Sequence, residues 1–198
     1  MTQKKIFVAV TNDLSTDNRV FKVCSFLHTQ KFKISLYGRI LKNSNPIQRN
    51  YQVIRKKHFF NHHFLFYAEF NIRLFFHLLF KNYDIILSND LDSLPACYFA
   101  SKLKKNKLVY DSHELFSEGP ELQGRKWVKG FWKKLEHYFL PKIKQSFTVS
   151  NAISEYYSER YHNNMGIVRN LPLLNREIEK KDVSFPTKNK VLLYQGVL

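Results

Sequence analysis

Cysteine, glycine and acidic residues are scarce in this chain, and each shortage closes off a class of function. Two cysteines, Cys24 and Cys97, in 198 residues provide neither a disulfide framework nor a thiolate cluster for zinc. Each falls inside an amphipathic helical pattern and reads as a reduced core thiol of a cytosolic protein. The six glycines form no G-x-G-x-x-G turn, which argues against a nicotinamide or flavin enzyme. No run reaches the ~18 uninterrupted apolar residues of a membrane span. The nearest approach, Phe64 to Phe80, is broken by Glu69, Asn71, Arg73 and His77. The opening Lys4-Lys5-Ile6-Phe7-Val8-Ala9-Val10 is too short an apolar run for a signal peptide and leads straight into polar Thr11-Asn12-Asp13. His58, His62 and His63 are neither spaced nor accompanied as zinc ligands, so no metal is expected.

Basic and aromatic residues are plentiful. Lys and Arg number 32 against 16 Asp and Glu, a formal charge of +16. Such an excess favours an anionic partner: nucleic acid, an anionic membrane face or a phosphorylated substrate. Compositional bias in the coding sequence accounts for it equally well. The basic residues are dispersed and no nucleic-acid-binding signature is present, so nucleic acid is not the expected partner. Hydrophobic residues make up 44%, with 18 Phe and 11 Tyr, enough for a packed core.

Short apolar runs alternate with helical patterns along the chain. Strands are expected at 5–11, 33–38, 51–57 (peripheral), 84–87, 107–111, 146–149 and 166–169. Helices are expected at 16–30, with Ser15 or Thr16 as cap, and at 62–81, 92–104, 126–140 and 151–162. This rhythm predicts an α/β, Rossmann-like, doubly wound parallel sheet of about seven strands with helices on both faces. Residues 1–172 read as one such domain. Residues 173–189, polar and flanked by Pro172 and Pro186, read as an interdomain linker, and 190–198 as the opening strand and turn of a second domain.

Open parallel sheets bind ligands at the carboxyl ends of their strands. Those ends here are Thr11-Asn12-Asp13, Ser88-Asn89-Asp90, Asp111-Ser112-His113-Glu114, Ser150-Asn151 and Asn170. Asp90, Asp92, Ser150 and Asn151 also suit helix capping. No helical pattern begins at His113, which makes it a candidate proton acceptor or hydrogen-bond partner of an acceptor hydroxyl, its tautomer set by Asp111 and Glu114. Arg19, in the first turn of the first helix, is a candidate for phosphate or other anions, or else a solvated surface residue.

Taken together, several segments resemble a bacterial branch of the family-four glycosyltransferases. They are Thr11-Asn12-Asp13-Leu14-Ser15-Thr16-Asp17-Asn18-Arg19, Ser88-Asn89-Asp90-Leu91-Asp92-Ser93-Leu94-Pro95, Asp111-Ser112-His113-Glu114-Leu115-Phe116, Phe147-Thr148-Val149-Ser150-Asn151 and Val168-Arg169-Asn170-Leu171-Pro172. Leu193-Tyr194-Gln195-Gly196 is similar to the opening of such an enzyme's second domain. The resemblance implies the N-terminal, acceptor-side half of a GT-B enzyme, whose other half binds the nucleotide-sugar. It implies usually retaining transfer from a UDP- or GDP-sugar, without metal or other cofactor, to a saccharide or lipid-linked acceptor in cell-surface polysaccharide synthesis. His113 matches the family's active-site histidine. Asn12, Asp13, Asn89 and Asp90 match cleft-lining positions, and Asp111, Glu114, Ser150 and Asn170 lie at the same edge. The twin glycines that many relatives carry in the first turn are missing, and Leu171 stands where many carry glycine. Without a second domain, the chain alone is expected to be inert.

The helix at 62–81 allows two readings. Leu65, Ala68, Ile72, Phe75, Phe76 and Leu79 make one apolar face, and Phe66, Phe70, Leu74 and Leu78 a second. With Lys56 and Lys57 just before it, the helix suits docking of Phe66, Phe70 and Leu74 into an anionic membrane on the cytoplasmic side; wedged against the sheet, it is ordinary core. The rival functions are a non-enzymatic basic module that binds membrane or nucleic acid, and a nucleotide-sugar 2-epimerase of the same architecture.

Overall fold

The computed structural model describes residues 3–172. The expected linker at 173–189 and the second-domain strand at 190–198 lie outside the described residues.

The alternating pattern produces seven parallel strands: β1 (Lys5–Asp13), β2 (Lys33–Arg39), β3 (Gln52–Lys56), β4 (Ile85–Asn89), β5 (Lys107–Ser112), β6 (Ser146–Thr148) and β7 (Gly166–Ile167). Their order is β3-β2-β1-β4-β5-β6-β7. The helices are α1 (Asn18–Thr29), α2 (His63–Phe80), α3 (Asp90–Lys104), α4 (Lys126–Phe139) and α5 (Asn151–Tyr161). The chain first steps outward from β1 to β2 and β3, then returns to β4 on the other side of β1. Right-handed crossovers therefore put α1 on one face and α2 to α5 on the other. Period-two alternation in β1 serves both layers: Ile6, Val8 and Val10 pack with Val20 and Cys24 of α1, while Phe7 packs with Phe70, Leu74 and Leu78 of α2. Strand order reverses between β1 and β4, and an open sheet has its crevice at such a reversal.

Element positions follow the sequence closely, but two local expectations change. The cap of α1 is Asp17, which accepts a hydrogen bond from the Val20 amide at 3.0 Å, rather than Ser15 or Thr16. In α2 the narrow stripe Phe66, Phe70, Leu74 and Leu78 lies on the sheet. Each of these side chains stabilises the fold by about 1.5–3 kcal/mol when buried. Phe66, Phe70 and Leu74 are thus core residues and are not available to a membrane. The exposed apolar side is the other one, with Leu65, Ile72 and Phe76 about half exposed and Phe80 79% exposed. Lys56 and Lys57 are exposed as expected. Among the described residues no helix is long and apolar enough to cross a membrane.

One side chain ties α2 to the first turn of α3. Pro95 sits inside α3 and supplies no N–H to the helical ladder. Beside it, the side-chain amide of Asn71 clasps two backbone groups that an unbroken helix pairs with each other. It donates to the Asp92 carbonyl at 2.7 Å and accepts from the Ala96 N–H at 3.0 Å. Asn71→Leu leaves both groups short of a partner. The expected cost is about 1–3 kcal/mol, read as a lower urea midpoint with an unchanged m-value; an unmoved midpoint would show that the clasp contributes nothing.

Candidate active site

The site is assembled around Asp111, the last-but-one residue of β5, whose side chain has no exposed surface. Its Oδ1 accepts from Arg19 Nη2 at 2.7 Å, and its Oδ2 faces His113 Nε2 at 3.1 Å. The opposite ring nitrogen, Nδ1, lies 3.2 Å from Asp90 Oδ2, and the His113 backbone N–H donates to Asp90 Oδ1 at 2.9 Å. Asp90 reaches back in this way because its φ is +57°, the left-handed region that a short polar residue tolerates best after glycine. Four side chains from β5, the loop after it, α1 and α3 thus form one chain: Arg19, Asp111, His113, Asp90.

The surroundings of the histidine favour its charged form. Nε2 is within hydrogen-bond distance of Asp111, and a second carboxylate stands 3.2 Å from Nδ1. Burial works against the charged ring, but the hydrogen bonds and charges of Asp111 and Asp90 outweigh it and push the His113 pKa up to about 10. His113 is therefore a cationic hydrogen-bond donor near neutral pH, not the proton acceptor its sequence position permits. Formal charges in the quartet cancel, two positive against two negative. The accessible members are His113 and Asp90, with 18% and 15% of their side chains exposed, while Arg19 and Asp111 stand buried behind them.

The other residues expected from the sequence divide. Glu114 is exposed, and its side chain is not a partner of the His113 ring; the second carboxylate is Asp90. The Glu114 pKa is raised by partial burial and by the charges of Asp90 and Glu121. Asn89 is buried and donates to the Ala9 carbonyl at 2.8 Å, so it ties β4 to β1 rather than lining the cleft. Asp13 turns toward β3. Burial acts against its charge, but the Ser44 hydroxyl, the Ser15 amide and Arg55, 2.9 Å away, hold its pKa down. Asn12 is exposed and donates weakly to Asp17 at 3.3 Å. Ser150 caps α5, accepting from the Ile153 amide at 3.4 Å. Asn170 is exposed and takes the Lys22 ammonium at 2.6 Å. Arg19 is buried; its Nη2 pairs with Asp111 and its Nη1 donates to the Val168 carbonyl at 3.2 Å, while its Nε has no hydrogen-bond partner.

Sequence reasoning missed two contributors. Asp92 reads as a cap, yet it is buried and accepts from the Thr11 hydroxyl at 2.5 Å. Burial and the neighbouring Asp90 charge raise its pKa to about 7. Glu136, which the sequence does not single out, is buried and accepts from the Ser117 hydroxyl at 2.8 Å and the Tyr161 hydroxyl at 2.7 Å. It fixes α4 against the loop that follows His113. Among the described residues no three His, Cys, Asp or Glu side chains are grouped so as to hold a metal ion.

The His113 assignment gives a direct test. A histidine whose pKa rises from 6.5 to about 10 on folding contributes stability that is complete below its unfolded value and is lost as pH climbs through its folded one. The His113 imidazole resonances are expected to stay at their charged positions from pH 6 to about 8.5, while the unfolding free energy declines from about pH 6.5, where the unfolded histidine loses its proton, until the folded one titrates near 10. A midpoint near the ordinary histidine value would contradict the two-carboxylate clamp.

Solved structures with this fold place the crevice in context. Sucrose-phosphate synthase from Thermosynechococcus elongatus superposes with a TM-score of 0.60 at 14% identity, over 84% of this chain and 47% of that one. Arabidopsis thaliana UGT89C1, complexed with UDP-L-rhamnose, gives 0.60 at 10% identity, over 89% and 54%. CalG4, the calicheamicin glycosyltransferase, gives 0.53 at 13% identity, over 85% and 53%. The chain spans about half the length of these structures. No curated protein matches it in sequence. The family Glycosyltransferase Family 4 matches residues 17–170, a stretch that runs from the cap of α1 to Asn170 and takes in the whole Arg19–Asp111–His113–Asp90 chain. With that match covering most of its length and a GT-B-type parallel sheet beneath it, this chain belongs to glycosyltransferase family 4.

Proposed function

We propose that the chain is the acceptor-side half of an enzyme that moves a sugar from a UDP- or GDP-sugar onto a hydroxyl of a saccharide or lipid-linked acceptor. The observation that carries this reading is the His113–Asp90 pair, partly exposed at the carboxyl edge of the sheet and held from behind by buried Asp111 and Arg19. A preorganised cation in a partly desolvated crevice stabilises negative charge that develops as a sugar–phosphate bond breaks. The unshared lone pairs of Asp90 suit sugar hydroxyls. A ring that is already protonated takes no proton from the acceptor. That accords with transfer in which the departing phosphate oxygen receives the acceptor's proton, and with retention at the sugar carbon. No metal or organic cofactor enters this scheme.

The same reading places the enzyme on the cytoplasmic face of a membrane, in assembly of cell-surface polysaccharide. Its support is the outer apolar side of α2, which continues onto α3 through Ile72, Phe76, Phe99 and Leu103. Lys56, Lys57 and Lys102 surround it. An apolar surface rimmed by lysines suits the interface of an anionic bilayer.

The test uses the full two-domain enzyme with its nucleotide-sugar. His113→Ala in that enzyme is expected to lower kcat/KM by about 10²–10³-fold, with Phe76→Asp sparing transfer to a soluble acceptor but releasing the enzyme from anionic vesicles at low salt. Undiminished transfer by His113→Ala would overturn the assignment.

A further inference from the structure

A groove runs between α2 and α4, separate from the residues that hold His113. Its volume is about 610 Å³. Phe64 and Tyr67 of α2 form one wall, and Val128, Phe131 and Trp132 of α4 the other. The aromatic rings meet across it, Phe64 with Phe131 at 6.0 Å between centroids and Tyr67 with Trp132 at 5.1 Å. Trp127 stands at its rim, 94% exposed. Phe64, 63% exposed, belongs to the helix whose outer side carries the lysine-rimmed apolar surface.

Its polar component is Asp92. That side chain is 7% exposed and lines the groove. One carboxylate oxygen, Oδ2, is taken by Thr11; the other, Oδ1, is buried and has no hydrogen-bond partner. A buried carboxylate oxygen left unpartnered is costly, and a hydroxyl arriving from a ligand would relieve the cost. Asn71, clasped to the Asp92 carbonyl, fixes the first turn of α3 at this place. Asp92 lies two residues along α3 from Asp90, and the charges of Asp90 and His113 both act on its carboxyl group.

We propose that the α2–α4 groove binds an amphiphilic acceptor, with an alkyl or isoprenoid tail against Phe64, Val128 and Phe131 and a head-group hydroxyl donating to Asp92 Oδ1. This rests on the glycosyltransferase reading above and narrows it: of the two acceptor classes, saccharide or lipid-linked, the groove selects the lipid-linked one. Apolar walls bind the tail by removing its surface from water, and the single polar atom selects hydroxyl-bearing heads.

The chain's two tryptophans, Trp127 and Trp132, both line this groove, so intrinsic fluorescence reports on it directly. The probe is octyl β-glucoside below its critical micelle concentration, compared with octylphosphocholine, which has the same tail and no hydroxyl donor. The glucoside is expected to give a saturable blue shift, with octylphosphocholine binding about tenfold more weakly, a difference of about 1.4 kcal/mol. Phe131→Asp, a change at a 41% exposed position that leaves the core intact, is expected to abolish the shift. Asp92→Asn is expected to reduce the preference for the glucoside while keeping the tail response. Equal binding of the two amphiphiles, a shift seen only above the micelle concentration, or a Phe131→Asp chain that responds like the native one would each overturn the proposal. Groove binding without any sugar transfer by the two-domain enzyme would instead sink the transferase reading alone. Transfer that proceeds unchanged to lipid-linked acceptors in Phe131→Asp would sink the groove alone.

Discussion

A carboxylate with no exposed surface holds the working edge of this fold together. Asp111 could not remain charged at the end of β5 without partners, because a buried ion alone costs several kcal/mol. Arg19 comes from α1 on one face of the sheet, and His113 from the loop beyond β5. The ion pairs therefore do more than offset desolvation: they fix helix, strand and loop relative to one another at the place where strand order reverses. Asp90 extends the network to the first residue of α3 on the opposite face. Asp111 is shared by Arg19 and His113, so removing that carboxylate leaves the buried Arg19 charge without its carboxylate partner.

The proposed chemistry builds on that constraint. Two carboxylates beside one imidazole favour its cationic form, and in the proposed reaction such a cation stabilises developing negative charge. The buried pair positions the exposed pair. Asp92, in the first turn of α3, is tied to β1 through Thr11 and to α2 through the Asn71 clasp. A helix interrupted by Pro95 would otherwise be free to shift there, and with it the floor of the α2–α4 groove.

Much of this was legible in the sequence. Apolar periodicity located the seven strands and five α-helices of the described residues to within a few residues, because their buried positions recur at regular spacing. The polar strand ends and the absence of a helical pattern after His113 singled out that residue. What stayed hidden depended on which way a side chain turns. Asn89 and Asp13 occupy strand ends like those of the site, yet one is spent on a backbone carbonyl of β1 and the other on Arg55. Arg19 looks like any arginine in a first helical turn until the fold places a buried carboxylate in front of it. Helix α2 is apolar nearly all round, so period alone could not say which stripe meets the sheet; the tighter i, i+4 row of Phe66, Phe70, Leu74 and Leu78 prevailed. Long-range pairs such as Asn71 with Asp92 and Ala96 leave no local signal at all.

The central claim is that the clamped His113–Asp90 pair is where the sugar donor and acceptor meet. It is tested most directly by a crystal structure of the two-domain enzyme with its nucleotide-sugar bound. The account predicts a sugar hydroxyl or phosphate oxygen within about 3.2 Å of His113 or Asp90, with Asp111 and Arg19 still paired behind them. A sugar bound elsewhere, with the clamp intact and touching no ligand atom, would contradict it.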